Sequence, residues 1–162
     1  MPLYHEADEA LPAGHRWTSP GRTVAERDIV AFGGMTGDLH PLHTDAEAAR
    51  DSAYGERIAH GHLTASLATA SLAAGLAHRI GLDEGTAHAL LNVNWTFRQP
   101  VRIGDTIRVS VLLTGARPSR SHPDKGVVLR RYEVESQRRE VVAIGEVAML
   151  CRRRPADPAA AR

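Results

Sequence analysis

Two runs in the second half of the chain alternate apolar and polar residues, two more are rich in β-forming residues, and one stretch before them is apolar on every side. From Ala87 to Phe97, residues Ala89, Leu91, Val93, Trp95 and Phe97 alternate with His88, Asn92, Asn94 and Thr96. A period of two is that of a strand with one buried face. Pro100 and the pair Gly104-Asp105 punctuate the next turn, after which Ile107, Val109, Val111 and Leu113 repeat the alternation. A polar loop, RPSRSHPDK, leads to two further β-rich runs at about 126–136 and 141–151. Four long strands in succession predict an antiparallel meander.

The stretch from Ile58 to His78 contains no Asp, Glu, Lys or Arg. On a helical wheel Leu63 and Leu67 point one way, while Leu72, Leu76 and Ile80 point nearly the opposite way. The length would cross a bilayer. However, His60, His62 and His78 sit at its ends, and Thr64, Ser66, Thr69 and Ser71 interrupt it, so a helix buried inside a globular domain suits it better than a membrane span. A helix apolar all round needs a curved sheet to cover it. The pattern therefore predicts an α+β architecture, an antiparallel sheet wrapped around a long central helix.

Upstream, TVAE at 23–26 has the form of a capping box, with Thr23 as N-cap and Glu26 reaching back. On a helix from there, Val24, Ile29, Phe32 and Met35 fall within an arc of roughly 140° and predict a core face. Gly33, Gly34 and Gly37 are expected to end it, and Pro41 biases His40 toward an extended conformation. Asp45 can cap a short helix through Arg50, followed by a polar loop to about Arg57. Residues 1–15 read as an arm, 16–152 as a single domain and 153–162 as a tail.

Composition narrows the function classes. A chain of 162 residues with 43% hydrophobic and 24% charged residues fits one globular domain and excludes wholesale disorder. A formal net charge of +1 argues against a nucleic-acid surface, which usually carries a strong positive excess. Cys151 is the only cysteine, so neither an intramolecular disulfide nor a cysteine-based zinc site is available. With no secretory pattern opening the chain, a cytoplasmic location is the expectation. The pairs Arg130-Arg131 and Arg138-Arg139 are expected to be solvated strand and turn residues.

Candidate chemistry concentrates in two segments. In TGDLHPLHTD, Asp38 and His43 flank Pro41, and a carboxylate beside an imidazole is common equipment for moving protons near neutral pH. In AHGHL, Gly61 opens the apolar helix, where a backbone N–H at the positive dipole end can hold a developing oxyanion. Each segment alone also fits a bland reading, a solvated turn and a helix-start glycine. The spacings of His40, His43, His60 and His62 permit metal ligation but lack the fuller patterns that make a histidine motif specific.

Together, FGGMTGDLHPLHTDAEAA and IAHGHLTASLATA resemble the MaoC-like family of R-specific enoyl-CoA hydratases and dehydratases, whose signature has the form G-D-x-N-P-x-H followed by H-G. GRTVAERDIVAF resembles the helix leading to that signature, and NVNWTFRQPVRIGDTIRV its paired strands. The resemblance implies a hot-dog fold, a catalytic dyad of Asp38 and His43, and Gly61 as the glycine whose N–H polarises a thioester carbonyl. Thr69 falls where many members place an active-site serine. The implied reaction is reversible addition of water across the C2–C3 double bond of an enoyl thioester, giving an (R)-3-hydroxyacyl product. The resemblance further implies no metal or other cofactor, an acyl-CoA or acyl-carrier-protein substrate, and a homodimer.

Two residues depart from the pattern. His40 stands where the family usually has Asn, and His62 where an apolar residue is common. His40, His62 and Thr69 are candidate substrate-binding residues: His40 sets a titratable ring beside Asp38, which bears on water positioning and pH dependence, and His62 with Thr69 points to a more polar acyl pocket. Three other readings compete with hydration: a hot-dog thioesterase, a tailoring dehydratase or isomerase acting on a carrier-bound intermediate, and a non-catalytic acyl-binding subunit of a hetero-oligomer.

Overall fold

The structure, a computed structural model, describes Gly14, residues 16–73 and residues 87–152. The expected arm, apart from Gly14, and the expected tail beyond Arg152 lie outside the described residues, as do Leu76 and Ile80 of the wheel argument. A six-stranded antiparallel sheet is built from β1 (Arg16–Thr18), β2 (Arg22–Thr23), β3 (Ala87–Phe97), β4 (Thr106–Pro118), β5 (Lys125–Ser136) and β6 (Val141–Arg152). The four long strands fall where the two alternating and two β-rich runs place them. β1 and β2 were invisible to such patterns because three and two residues carry too little period to register.

The strand order is β1-β4-β5-β6-β3, with β2 also on β4. Only β4, β5 and β6 form a meander. The expected pairing of β3 with β4 is wrong: β3 crosses to β6, with Trp95 opposite Gly145 and Phe97 opposite Ala143. Residues 98–105 make the crossover, longer than the two to five residues of a common hairpin loop. That segment is anchored elsewhere, since Val101 is buried and its carbonyl accepts from Ala59 N–H at 2.7 Å, while Arg102 forms an isolated bridge with Ile58.

As the last strand of the sheet, β3 is also less buried than its alternation predicts, and Leu91, Val93 and Phe97 are exposed. Register shifts near both Ala87 and Leu90 add a second reason. The concave face meets the apolar helix, α4 (Gly61–Ser66), which continues as a π-helix over Leu67–Ala73. Leu63, Leu67 and Ala68 pack with Ile107, Val109 and Tyr132 in the main core. Arg130 corrects another expectation. It is 4% exposed on this concave face, with its guanidinium carbon 5.9 Å from the centroid of a Trp17 ring.

The first helix, α1 (Glu26–Thr36), starts two residues later than the capping box predicts. Thr23 belongs to β2, where its hydroxyl bonds Thr106, and the carboxylate of Asp28 accepts from the N–H of Ala25 at 2.9 Å. Glu26 instead pairs with Arg57. Ile29 is fully buried, but Met35 is 77% exposed, so the core face is narrower than the wheel indicates. Gly33 and Gly34 lie inside the helix. Gly37 ends it in the left-handed region at φ 78°, and its N–H bonds the carbonyl of Gly33.

Asp105 ties the crossover to the β5–β6 turn. Its carboxylate is 4% exposed and accepts from Arg102 N–H at 2.8 Å, from the Gln137 amide at 2.7 Å and from the Arg138 guanidinium at 3.1 Å. Burial opposes ionisation most strongly, yet these donors together outweigh it and hold the carboxyl below its ordinary value.

Candidate active site

After Gly37 the chain turns back along α1. Thr36 Oγ1 accepts from the N–H of Asp38, and His40 sits at φ −55°, ψ 137°, the conformation that a following proline favours. Two short helices follow, α2 (Pro41–Thr44) and α3 (Ala46–Arg50). His40 is the N-cap of α2: its Nδ1 accepts from the N–H of Leu42 at 3.2 Å. Asp45 caps α3 as expected, accepting from Glu47 and Ala48 N–H.

The segment before α4 is laced to this turn. Ile58 donates its N–H to the carbonyl of Leu42 and receives, on its own carbonyl, Nδ1 of His43 at 2.8 Å. A carbonyl oxygen only accepts, so Nδ1 of His43 carries the hydrogen, and in the neutral ring the lone pair lies on Nε2. Two residues on, His60 is 1% exposed, and its Nε2 bonds the main-chain carbonyl of Asp38 at 2.9 Å. The rings of His43 and His60 stack with centroids 3.8 Å apart and planes 31° apart. Carboxylate and ring-nitrogen atoms of Asp38, His43 and His60 lie within 4.8 Å of one another.

Asp38 and His43, five residues apart in sequence, are thus brought together as expected, Asp38 exposed and His43 half-buried. Gly61 follows His60 directly and is the first residue of α4, so its N–H has no acceptor within the helix. It lines a cleft of about 410 Å³ with Tyr54, Thr64, Phe97, Arg98 and Gln99. Phe97 approaches so closely that a Cβ at position 61 would lie 3.0 Å from its ring. Only a glycine leaves room there with the ring where it is.

His40 adjoins this cluster, its ring centroid 6.1 Å from that of His43, and the other two candidates lie apart from it. His62 is exposed and does not line the cleft. Thr69 is in the π-helical segment, where its hydroxyl donates to the carbonyl of Ala65 at 2.9 Å. Sequence reasoning missed His60, treating it only as the residue before the glycine and as one of several permissive metal ligands. A histidine at the entrance to an uncharged, largely apolar helix was the available signal, because a polar ring carried into a core needs a partner there.

The trio also has the donor set of a metal site. A metal bound by imidazole lies close to the ring plane, about 2 Å beyond the nitrogen. Two rings stacked at 3.8 Å with a 31° tilt do not direct their lone pairs at one such point. The arrangement suits the handling of a proton better than joint coordination of one ion.

Comparison with known proteins gives the family and the fold. A model described as MaoC like domain matches residues 9–137, and the chain belongs to that family. It resembles an (R)-specific enoyl-CoA hydratase of Rhodospirillum rubrum, 34% identical over 63% of this chain and 66% of the relative. It also resembles a mitochondrial 3-hydroxyacyl-(acyl-carrier-protein) dehydratase of Solanum lycopersicum, 33% identical over 59% of this chain and 53% of the relative. Both matches span less than two thirds of the relative's length. The crystal structure of a MaoC-like dehydratase from Rhodospirillum rubrum superposes with a TM-score of 0.76 at 31% identity, covering 91% of this chain and 97% of that one. The fold is the hot-dog fold. Among the described residues, no helix is long and apolar enough to cross a membrane.

Proposed function

We propose that this protein is a hydratase or dehydratase that adds water to, or removes it from, a 2-enoyl or (R)-3-hydroxyacyl thioester. The observation that carries the reading is the meeting of Asp38 and His43 beside the helix start at Gly61. One water between the carboxylate and Nε2 of His43 faces two acceptors, so both its hydrogens are held and a lone pair is aimed outward. As its oxygen bonds C3, a proton passes to the dyad, and the C2–C3 electron pair shifts to give an enolate. Collapse of the enolate takes a proton at C2, so the dyad ends as it began. The N–H of Gly61 stabilises an oxygen that is more negative in the enolate than in the starting thioester, and so assists the transition state selectively.

On this reading the thioester arm, whether carried by CoA or by a carrier protein, lies in the cleft lined by Gly61 and Phe97, which the side chains of Asp38 and His43 do not themselves line. The two relatives' names support one each. A homodimer fits the same reading, because β3 is the outermost strand beyond β6 and exposes Leu90, Leu91 and Phe97. The test is the loss of the conjugated chromophore of a short 2-enoyl-CoA on mixing with the protein. Asp38→Asn and His43→Ala are expected to lower kcat by roughly 100-fold to 10,000-fold each. Undiminished turnover in both variants overturns the assignment, and release of free thiol without hydration replaces it with a thioesterase.

A further inference from the structure

We propose that His60 is the positioning residue of this site, fixing both members of the dyad at once from within the core; the inference rests on the hydratase reading. Its ring makes two different contacts. Through Nε2 it donates to the main-chain carbonyl of Asp38, twenty-two residues back in sequence, and through its face it backs the ring of His43 at 3.8 Å. Because the accepting carbonyl dictates the hydrogen on Nε2, the neutral ring carries its lone pair on Nδ1. That atom is buried with no hydrogen-bond partner among the described residues.

A buried polar atom without a partner is costly, and an apolar side chain in its place would remove the cost. The ring earns its place only through what Nε2 and the ring face do. The surroundings are shaped to the same end. Gly33 presents no side chain to the carbonyl of Asp38, which lies 3.2 Å from where its Cβ would stand, and His60 Cε1 lies 3.8 Å from that point. Phe32 closes a further side of the imidazole, with centroids 5.0 Å apart. The carbonyl of Asp38 is therefore bracketed between α1 and His60.

The consequence is mechanical coupling of the two halves of the site. His60 is the N-cap residue of α4, one bond from the amide of Gly61. The residue that sets where Asp38 and His43 stand is thus covalently joined to the group that would receive the enolate oxygen. His60 touches no reacting atom in this account. It holds the dyad and the amide in register, and a misplacement of about 1 Å at such a site can cost about 100-fold in rate.

Two substitutions separate the contacts. His60→Phe keeps an aromatic face against His43 and loses the donor to Asp38. His60→Gln keeps a donor of similar reach and loses the face. With an enoyl-CoA as substrate, His60→Phe is expected to lower kcat by about tenfold to 100-fold with KM held within about threefold, and His60→Gln to recover part of that loss. A folded His60→Phe with wild-type kcat, or a loss confined to KM, overturns the proposal. Should the variants fail to melt cooperatively, proton–nitrogen correlation spectra of the wild-type imidazoles decide it. Hydrogen on Nε2 of His60 and on Nδ1 of His43 is the expected pair, and hydrogen on Nδ1 of His60 overturns it. Absence of turnover by the wild-type protein would refute the hydratase reading instead, and the spectra would still report whether His60 holds the Asp38 carbonyl.

Discussion

The ring of Phe97 lies against the backbone of Gly61, with Cε2 and Cζ each 3.0 Å from the point a Cβ would occupy. Phe97 comes from the outermost strand and Gly61 from the start of the central helix, so the pair fixes how the edge of the sheet meets the candidate oxyanion amide. Phe97 is 45% exposed and can swing aside in part. Gly61→Ala is therefore expected to preserve the fold and lower kcat by roughly tenfold to 100-fold through displacement of the helix start. Adding Phe97→Ala, which removes the obstructing ring, should return most of that activity. The two effects are coupled in a double-mutant cycle, and simple additivity of the losses would show that the contact does not govern the amide.

His40 explains its departure from the family's usual Asn by the bond it makes. Nδ1 of histidine and Oδ1 of asparagine both lie one bond beyond Cγ, and here that atom accepts from the N–H of Leu42. The imidazole is doing the work of an N-cap amide. His40→Asn is expected to leave both the melting temperature and kcat near wild type, whereas His40→Ala loses about 1 kcal/mol and loosens the Asp38–His43 turn. Thermal melts and kcat measured on the same samples separate the two variants. A large loss in His40→Asn would give the ring a role beyond capping.

What was legible in the sequence was whatever has a period or a motif. Alternation located β3 and β4, and runs of β-forming residues located β5 and β6, each within a few residues. Neither said anything about which strand neighbours which, and so the crossover of β3 to β6 was missed: Val101 and Arg102 look like ordinary turn residues until Ala59 and Ile58 are found bonded to them. Asp38, His43 and Gly61 were singled out by the resemblance of their two segments to the family signature, and the structure brings those segments together. His60 was not, since its role depends on a carbonyl that no side-chain pattern encodes. Arg130 was misread for a similar reason: a charged residue on an inward-facing position has its Trp17 neighbour supplied by a distant strand.

Gly145 tests how tightly the β3–β6 pairing is packed. The indole of Trp95 lies over its backbone, and a Cβ built there would sit 2.7 Å from two ring carbons. Trp95 is half-buried and packs against the main core, so it has less room to retreat than Phe97 has. Gly145→Ala is expected to destabilise the protein by about 1 to 3 kcal/mol, read as a lower urea midpoint, with a change in tryptophan fluorescence. An unchanged midpoint would mean that the indole shifts freely and that the pairing tolerates a side chain on this face.

Asp105 gives the fold a dependence on acid that is separable from the chemistry of the site. Its carboxyl is held below its ordinary value by the bonds from Gln137, Arg102 and Arg138, despite a burial that pulls the other way. A carboxyl with a depressed folded pKa binds its proton more readily in the unfolded chain, so its contribution is fully present above the unfolded value, near pH 4, and is lost as pH falls through the folded value. At neutral pH, Asp105→Ala removes a buried carboxylate that accepts from three partners and is expected to cost about 1 to 3 kcal/mol. The gap between the urea midpoints of the wild type and the variant, taken from pH 7 down to pH 3, should therefore stay constant to about pH 4 and narrow below it. A gap that stays constant across that range would mean that packing of the side chain, and not its charge, ties the crossover to the β5–β6 turn.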